Sequence, residues 1–259
     1  MTIYQAIVLG LIQGFAEFLP VSSSGHLILV ANWFGIKENA VFYSIMLHLG
    51  TLVPVLIILR KKILGLFKSP FYLLACLIIA TIPAGIIGLL VSKLVDLDAL
   101  FSKHTYLLSI TFLITAIMMF ISQRRAKKNT KSNLITKKSA FMMGCGQAIG
   151  VLPGISRSGS TLFFGYLAKI DNENNATFTF LMSIPIIISA VLLKSVELAT
   201  NASAISVDFV PLLFGIITAM VSGYLSINLM LSVIKKANYK WFCIYLLLIS
   251  AVNLIVYIA

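Results

Sequence analysis

The chain has 259 residues, of which 59% are hydrophobic and 11% are charged, and its mean hydropathy is +1.02. Soluble domains carry about 25% charged residues, so this composition excludes a water-soluble fold and predicts a helical membrane protein. The net charge of +12 comes from short basic blocks between apolar runs, which indicates membrane topology and argues against nucleic-acid binding. The three cysteines (Cys76, Cys145 and Cys243) lie in apolar surroundings without metal-type or redox-type spacing, which predicts packing roles.

The chain opens with an apolar stretch, 1–34, that is interrupted by PVSSSGH at 20–26. A second stretch, 141–168, is interrupted in the same way by PGISRSGST at 153–161. Pro, Gly and Ser interrupt helices, so each stretch is predicted to be a helix, a polar break and a second short helix. The N-terminus lacks a signal peptide's basic region and cleavage site, so residue 1 is expected to belong to the bundle. Three runs long enough to span the bilayer follow each stretch: roughly 41–59, 71–91 and 106–123, then 177–193, 209–229 and 241–258.

The basic residues predict how these segments cross the membrane, because Lys and Arg accumulate in cytoplasmic loops. Three basic blocks, at 60–68, 124–138 and 235–240, contain no acidic residue and are placed inside. Counting spans from them puts both ends of 141–168 inside and residues 35–40 outside. If 1–34 is a broken pair of the same kind, the N-terminus is outside too, so that 1–34 enters from outside and 141–168 from inside. Both stretches are therefore predicted to be re-entrant. Because three spans follow each of them, the second half is inverted relative to the first.

The predicted fold is an all-α polytopic membrane protein with two inverted-topology repeats, each a re-entrant helix pair plus three transmembrane helices. The chain forms a single membrane domain, 1–259, with repeat one at 1–123, a basic cytoplasmic loop at 124–140 and repeat two at 141–259. Such folds place their binding site near the midplane, where the two halves meet. An offset of 134 residues aligns four identical pairs: Gln13 with Gln147, Ser22 with Ser156, Ser24 with Ser158 and Gly25 with Gly159.

Glu17 and Arg157 are the two charges that this topology leaves at membrane depth, where an ionised group indicates function. Glu17 shares a helix face with Gln13, although a role in capping or interhelical contact stays open. Arg157, flanked by serines and glycines, resembles an anion cradle, and a simple ion pair with Glu17 is the alternative. His26 follows three serines, which combines hydroxyl nucleophiles with a titratable group, with packing as the alternative. His48 has no reactive neighbour in the sequence and is assigned to packing.

QGFAEFLPVSSSGH (13–26) and PGISRSGST (153–161) resemble the paired signatures of the undecaprenyl-diphosphatase family, also called the bacitracin-resistance protein. The resemblance covers essentially the whole chain. It implies an undecaprenyl-diphosphate phosphatase that produces undecaprenyl phosphate and inorganic phosphate, recycles the lipid carrier for cell-wall synthesis and gives bacitracin resistance. It further implies a bacterial plasma-membrane location, an active site open to the outer face, and a divalent cation, Mg²⁺ or Ca²⁺, held by Glu17.

The expected mechanism is phosphoryl transfer by positioning and charge neutralisation. Glu17, Ser23 and His26 are the predicted catalytic residues. Ser23 and His26 are expected to form a pair in which one member attacks the terminal phosphorus and the other handles the proton, while Glu17 orients the pair or holds the metal. Whether Ser23, His26 or water activated by Glu17 attacks the phosphorus stays open. Six residues are predicted to bind the diphosphate: Arg157, Ser156, Ser158, Ser22, Ser24 and Gln13.

A transporter or flippase of a polyprenyl phosphate lipid is the alternative function, because inverted repeats with paired re-entrant loops are typical of transporters. The Ser/His set beside a carboxylate favours the enzyme. The expected partners are a polyprenyl diphosphate lipid and the bilayer, without nucleic acid. The sequence leaves both a monomer and a homo-oligomer open.

Overall fold

The computed structural model describes residues 1–36, 40–128, 134–200 and 208–258, and all regular secondary structure in these ranges is helical. This confirms the predicted fold class. The described helices are α1 (Ile3–Phe18), α2 (Ser23–Trp33), α3 (Ala40–Leu66), α4 (Tyr72–Leu94), α5 (Leu97–Lys103), α6 (Tyr106–Ala126), α7 (Lys137–Ile149), α8 (Arg157–Leu167), α9 (Asn172–Thr200), α10 (Phe209–Lys236) and α11 (Lys240–Ile258).

Within the described ranges, six helices are long and apolar enough to cross a bilayer, namely α3, α4, α6, α9, α10 and α11. They confirm the six predicted spans. Helices α3 and α10 continue past the predicted ends at 59 and 229 into the adjoining basic blocks. Lys and Arg are good helix formers, and their long side chains carry the charge to the membrane surface, so a helix does not stop where its apolar run stops.

Helix α5 was not predicted, and its residues fell in a loop between spans. Asp96 caps it, because the Asp96 carboxylate accepts a hydrogen bond from the Ala99 amide at 3.0 Å. The Asn32 side chain, at the end of α2, accepts a hydrogen bond from the Ser102 hydroxyl of α5 at 2.6 Å. The end of α2 and the α4–α6 connection therefore lie at the same end of the bundle, as the predicted topology requires.

The two interrupted stretches form the predicted helix pairs, α1 with α2 and α7 with α8. The first pair returns to the side from which it starts, because the rings of Tyr4 and Phe34 lie 6.1 Å apart. The second pair ends beside the basic turn between α10 and α11, where the hydroxyls of Tyr166 and Tyr239 are 2.6 Å apart. The predicted loops 35–40, 124–138 and 194–208 lie partly outside the described residues.

The two halves pack into each other in matching pairs. Helix α1 of the first half packs along α10 of the second, and α7 of the second half packs along α4 of the first. Gly10 faces the backbone carbonyl of Gly215, and Gly144, which is 134 residues further on, faces the carbonyl of Ala80. A side chain at either glycine would collide with that carbonyl oxygen. The exchanged helices fit the predicted inverted repeats.

The two breaks meet in the interior of the bundle. A Cβ atom on Gly25, in the first turn of α2, would lie 2.8 Å from the Cα atom of Gly154. On the other side of the contact, a Cβ atom on Gly159 would lie 3.2 Å from Pro20. The residues that follow each break are thus brought to a common point between the halves.

Candidate active site

The first break turns the chain sharply at Ser22. Its φ of 72° and ψ of 97° lie outside the regions that residues with a Cβ normally adopt, at a cost of about 1 to 3 kcal/mol. The Ser22 hydroxyl accepts a hydrogen bond from the Gly25 amide at 3.4 Å and caps α2. The next residue, Ser23, is directed back toward the end of α1.

Glu17 is the centre of a buried polar cluster, and its side chain is 2% exposed. Its Oε2 atom accepts hydrogen bonds from the Ser23 hydroxyl at 2.6 Å and from the Gln13 amide at 3.1 Å. Its Oε1 atom is ion-paired with the Arg157 guanidinium. Charge pairing and hydrogen bonds together compensate the desolvation of this carboxylate, which would otherwise cost several kcal/mol.

The second break places Arg157 at the first residue of α8. The Ser156 hydroxyl caps the helix by accepting from the Gly159 amide at 3.1 Å. Thr115 of α6 secures the break, since its hydroxyl accepts from the Ser156 amide at 3.2 Å and lies 3.1 Å from the Gly154 carbonyl oxygen. Among the described residues, Glu17 is the one hydrogen-bond partner of the Arg157 side chain, so the guanidinium keeps donors for an anion. The positive end of α8 lies at the same point.

The predicted Ser23–His26 pair does not form. His26 Nδ1 lies 2.7 Å from the Ser22 carbonyl oxygen, and its Nε2 lies 2.6 Å from the hydroxyl of Tyr245 on α11. Both ring nitrogens are therefore occupied away from Ser23, whose hydroxyl bonds to Glu17. The reason is geometric, because α2 directs Ser23 toward α1 and His26 toward α11. Tyr245 is a partner that the sequence did not indicate.

His48 belongs to the carboxylate cluster, which corrects its assignment to packing. Its Nε2 lies 3.5 Å from Glu17 Oε2, while its Nδ1 lies 2.7 Å from the Ser44 carbonyl oxygen. Its side chain is 26% exposed, more than that of Glu17 or Arg157. The HLGT segment carries no local signal for this contact, because the partner is on another helix.

The predicted diphosphate ligands fall into two groups in the structure, one in the Glu17 cluster and one at the helix caps. Arg157 and Gln13 lie in the Glu17 cluster. Ser22 and Ser156 cap helices instead. Two further serines lie beside these caps: the Ser24 hydroxyl is 3.3 Å from that of Ser22, and the Ser158 hydroxyl is 3.1 Å from that of Ser156 and 3.2 Å from the Leu19 carbonyl oxygen.

A cavity of about 550 Å³ lies between α1, α2, α3 and α5. Its walls are mainly apolar, and polar groups including Asp96 and Lys103 stand among the α5-side residues. Ser24 and Leu47, the sequence neighbours of Ser23 and His48, line it. The cavity therefore extends to the residues beside the polar cluster.

The side chains around Glu17 include oxygen donors of the kind that a divalent cation binds. The described residues contain no group of three or more His, Cys, Asp or Glu side chains that could hold a metal. The Oε1 atom of Gln13 is buried beside Glu17 without a hydrogen-bond partner in the described structure. Mg²⁺ is bound through one or two carboxylates together with substrate phosphate oxygens, so a site of Glu17, Gln13 Oε1 and a bound phosphate fits such an ion.

Fold and site define a polytopic membrane protein in which two re-entrant loops bring a carboxylate, a hydroxyl and a guanidinium together. The chain belongs to the bacitracin resistance protein BacA family, whose model matches residues 6–252. It is 38% identical over 257 residues to an undecaprenyl-diphosphatase of Carboxydothermus hydrogenoformans, covering 98% of this chain and 97% of the relative. Relatives of the same name from Treponema denticola and Methanobrevibacter smithii are 37% and 36% identical, each covering 95% of this chain and 94% of the relative. The predicted family is confirmed.

Proposed function

We propose that the chain is an integral membrane undecaprenyl-diphosphate phosphatase that converts undecaprenyl diphosphate into undecaprenyl phosphate and inorganic phosphate. The observation that carries the proposal is the 2.6 Å hydrogen bond from Ser23 to Glu17, beside Arg157. It joins a nucleophile, a base and an anion-binding group in one buried cluster. The names and near full-length coverage of the relatives support the same activity.

In the proposed mechanism, Arg157 binds the diphosphate through its free guanidinium donors. The Ser23 oxygen attacks the terminal phosphorus while its proton moves to Glu17 Oε2, 2.6 Å away. The bond from that phosphorus to the bridging oxygen breaks, and undecaprenyl phosphate leaves with the electron pair. Water then attacks the phosphoserine phosphorus, the bond from that phosphorus to the Ser23 oxygen breaks, and the Ser23 oxygen takes back the proton held by Glu17. Both protons of the water leave with inorganic phosphate. In the alternative, Glu17 activates water for direct attack.

His26 has a supporting part in this mechanism, because its ring bonds hold the turn at Ser22 and do not reach the Glu17 cluster. His48 is placed against Glu17 on the wall that carries the cavity residues Ser44 and Leu47. The described structure thus supports a division between Ser23 and Glu17, which carry the chemistry, and His26, which maintains the turn.

We further propose that Mg²⁺ or Ca²⁺ participates, held by Glu17 and Gln13 Oε1 with the oxygens of the diphosphate. Such an ion would supply neutralisation of charge on those oxygens. The unpartnered Gln13 oxygen supports this assignment. Titration with Mg²⁺ or Ca²⁺ after chelation tests it, with an expected return of activity that Gln13→Leu weakens.

The proposed location is the bacterial plasma membrane, with the active site open to the outer face. The positive-inside count predicts that α5 and the end of α2 lie outside, and these elements border the cavity that leads toward Ser23. A lipid diphosphate fits an opening with apolar walls and a polar end. Hydrolysis on that face would recycle the lipid carrier for cell-wall synthesis and give bacitracin resistance.

Transport of a polyprenyl phosphate lipid is the alternative that the exchanged, inverted halves favour. The experiment that separates the functions is phosphate release from undecaprenyl diphosphate by purified protein in detergent, where no membrane separates two compartments. Hydrolysis is expected in the presence of Mg²⁺ or Ca²⁺. Binding of the lipid without phosphate release under any cation condition would contradict the enzyme and favour the transporter.

A further inference from the structure

Tyr245 is a residue of α11 that reaches the first break from the opposite half of the protein. Its hydroxyl lies 2.6 Å from His26 Nε2, and the two rings are stacked with centroids 5.6 Å apart and planes 12° apart. The ring of Phe112, on α6, lies 5.1 Å from the imidazole. His26 is thus held by a hydrogen bond and by two aromatic rings.

The bonds of His26 have a defined direction. A backbone carbonyl can only accept, so the 2.7 Å contact with the Ser22 oxygen requires the hydrogen on Nδ1. Nε2 of the neutral ring then accepts the hydrogen of the Tyr245 hydroxyl. The tyrosine therefore orients the imidazole, and the imidazole donates to the carbonyl of Ser22.

Ser22 links the support from His26 to the proposed nucleophile, Ser23. Its backbone has a φ of 72°, and the turn directs the next side chain, Ser23, to Glu17 at 2.6 Å. Bonds that hold the Ser22 carbonyl in place oppose relaxation of this unfavourable backbone conformation. A continuous series of contacts therefore runs from Tyr245 through His26 and Ser22 to the nucleophile.

The second break has a comparable support, which argues that the first is not incidental. Thr115, on the last span of the first half, bonds to the backbone of the second break at Ser156 and lies beside the Gly154 carbonyl. Tyr245, on the last span of the second half, supports the first break through His26. In each case a hydroxyl from the last span of one half steadies the break of the other.

We propose that Tyr245 is a positioning residue for the hydrolysis, acting through His26 on the Ser22 turn that aims Ser23 at Glu17. The inference rests on the proposed phosphatase function. It assigns a part in the reaction to α11, a helix that contributes no residue to the Glu17 cluster itself.

The test compares Tyr245→Phe with Tyr257→Phe, which removes the same hydroxyl from another partly exposed tyrosine of α11. Phosphate release from undecaprenyl diphosphate is measured in detergent with the wild-type protein alongside. Tyr245→Phe is expected to lower kcat about tenfold with KM changed less than twofold. The reason is that the variant loses the orientation of Ser23 toward Glu17, whereas the group that binds the diphosphate, Arg157, is unchanged. Tyr257→Phe is expected to match the wild type. Circular dichroism during heating shows whether either variant is less stable.

A double variant distinguishes action through His26 from direct contact of the tyrosine with lipid. In a His26→Ala background, which is expected to retain measurable turnover, adding Tyr245→Phe should leave kcat unchanged, because the residue through which it acts is gone. Losses that multiply would overturn the proposal, as would wild-type kcat in Tyr245→Phe or a changed KM alone. A stable His26→Ala protein without any turnover would also overturn it, since His26 would then be catalytic.

No turnover by the wild type would instead refute the phosphatase function and this inference with it.

Discussion

Ser23 and Arg157 are separated by 134 residues, the offset that relates the two repeats, and both contact the carboxylate of Glu17. Each is the residue that directly follows a serine helix cap, Ser22 or Ser156. The same local structure thus presents a hydroxyl from one half and a guanidinium from the other. The shared geometry fits the predicted repeat, and in the proposed mechanism the difference between the two side chains provides the chemistry.

The first prediction concerns the nucleophile. Ser23→Ala is expected to lower kcat at least about a thousandfold, because loss of a nucleophile leaves the rate supported by binding and electrostatics alone. Ser189→Ala, on the exposed side of α9, serves as the control and is expected to be unaffected. Mass spectrometry after acid quenching should detect phosphate on Ser23. Near wild-type turnover of Ser23→Ala would support direct attack by water instead.

The second prediction concerns the anion-binding group. Arg157→Lys keeps the charge but loses the planar guanidinium that binds two phosphate oxygens together. Loss of one charge-assisted contact costs about 1.5 to 3 kcal/mol, or roughly a tenfold to hundredfold decrease in kcat/KM. Arg124→Lys, at the exposed end of α6, is the matched control. If the folded Arg157→Lys protein turns over like the wild type, Arg157 contributes only its charge.

The third prediction tests whether His48 contributes to the Glu17 cluster. His48→Ala is expected to lower kcat/KM by roughly twofold to tenfold, the range for loss of one modest polar contact. His104→Ala provides the control, because that histidine ends α5 away from Glu17. Both variants are assayed for phosphate release under the same cation conditions. Equal activities of the two would restore the packing interpretation of His48.

The fourth prediction concerns packing between the halves. Gly10→Ala is expected to destabilise the protein by about 1 to 3 kcal/mol, because the added methyl group meets the Gly215 carbonyl and forces α1 and α10 apart. Gly88→Ala, where a Cβ meets no atom within 4 Å, should have little effect or stabilise α4 slightly. The measurement is thermal unfolding in detergent. An equal shift in the two variants would mean that α1 and α10 are farther apart in solution.

The fifth prediction concerns topology, and it uses four Lys→Cys variants in a background without the native cysteines. Cysteines at Lys128 and Lys236 are expected to be protected from impermeant thiol reagents in intact cells, while those at Lys93 and Lys103 react. All four lysines are exposed in the described structure. Labelling at 128 from outside would contradict the inverted repeat.

The sequence predicted the six spans and both helix pairs because these features depend on local properties: apolar runs, basic blocks and Pro/Gly/Ser breaks. The proximity of Glu17 and Arg157 could also be predicted from the sequence, because an unpaired charge within the membrane is energetically costly. The contacts of His48 and Tyr245 could not be predicted in this way. His48 contacts a residue on another helix, and Tyr245 is 219 residues from His26. No sequence spacing indicates either contact, because both are determined by how the helices of the whole bundle pack together.

The Ser23–His26 hypothesis shows the limit of reasoning from proximity in sequence. Two reactive side chains three residues apart suggested a pair, and on a helix they do lie on neighbouring faces. The structure separates them because α1 and α11 lie on different sides of α2, and each side chain bonds to the helix that it faces. A sequence shows which reactive groups are near one another, whereas the direction of each depends on distant helices.

The ion pair between Glu17 and Arg157 has a consequence for biosynthesis. Glu17 is made 140 residues before Arg157, and α1 precedes its packing partner α10 by about two hundred residues. A nascent chain that ends before Arg157 therefore has a carboxylate without its cation and a helix without its neighbour. Since an unpaired charge is costly in lipid, we expect the first helix pair to remain near the membrane surface during translation. It would reach its final depth only after the second half has been inserted.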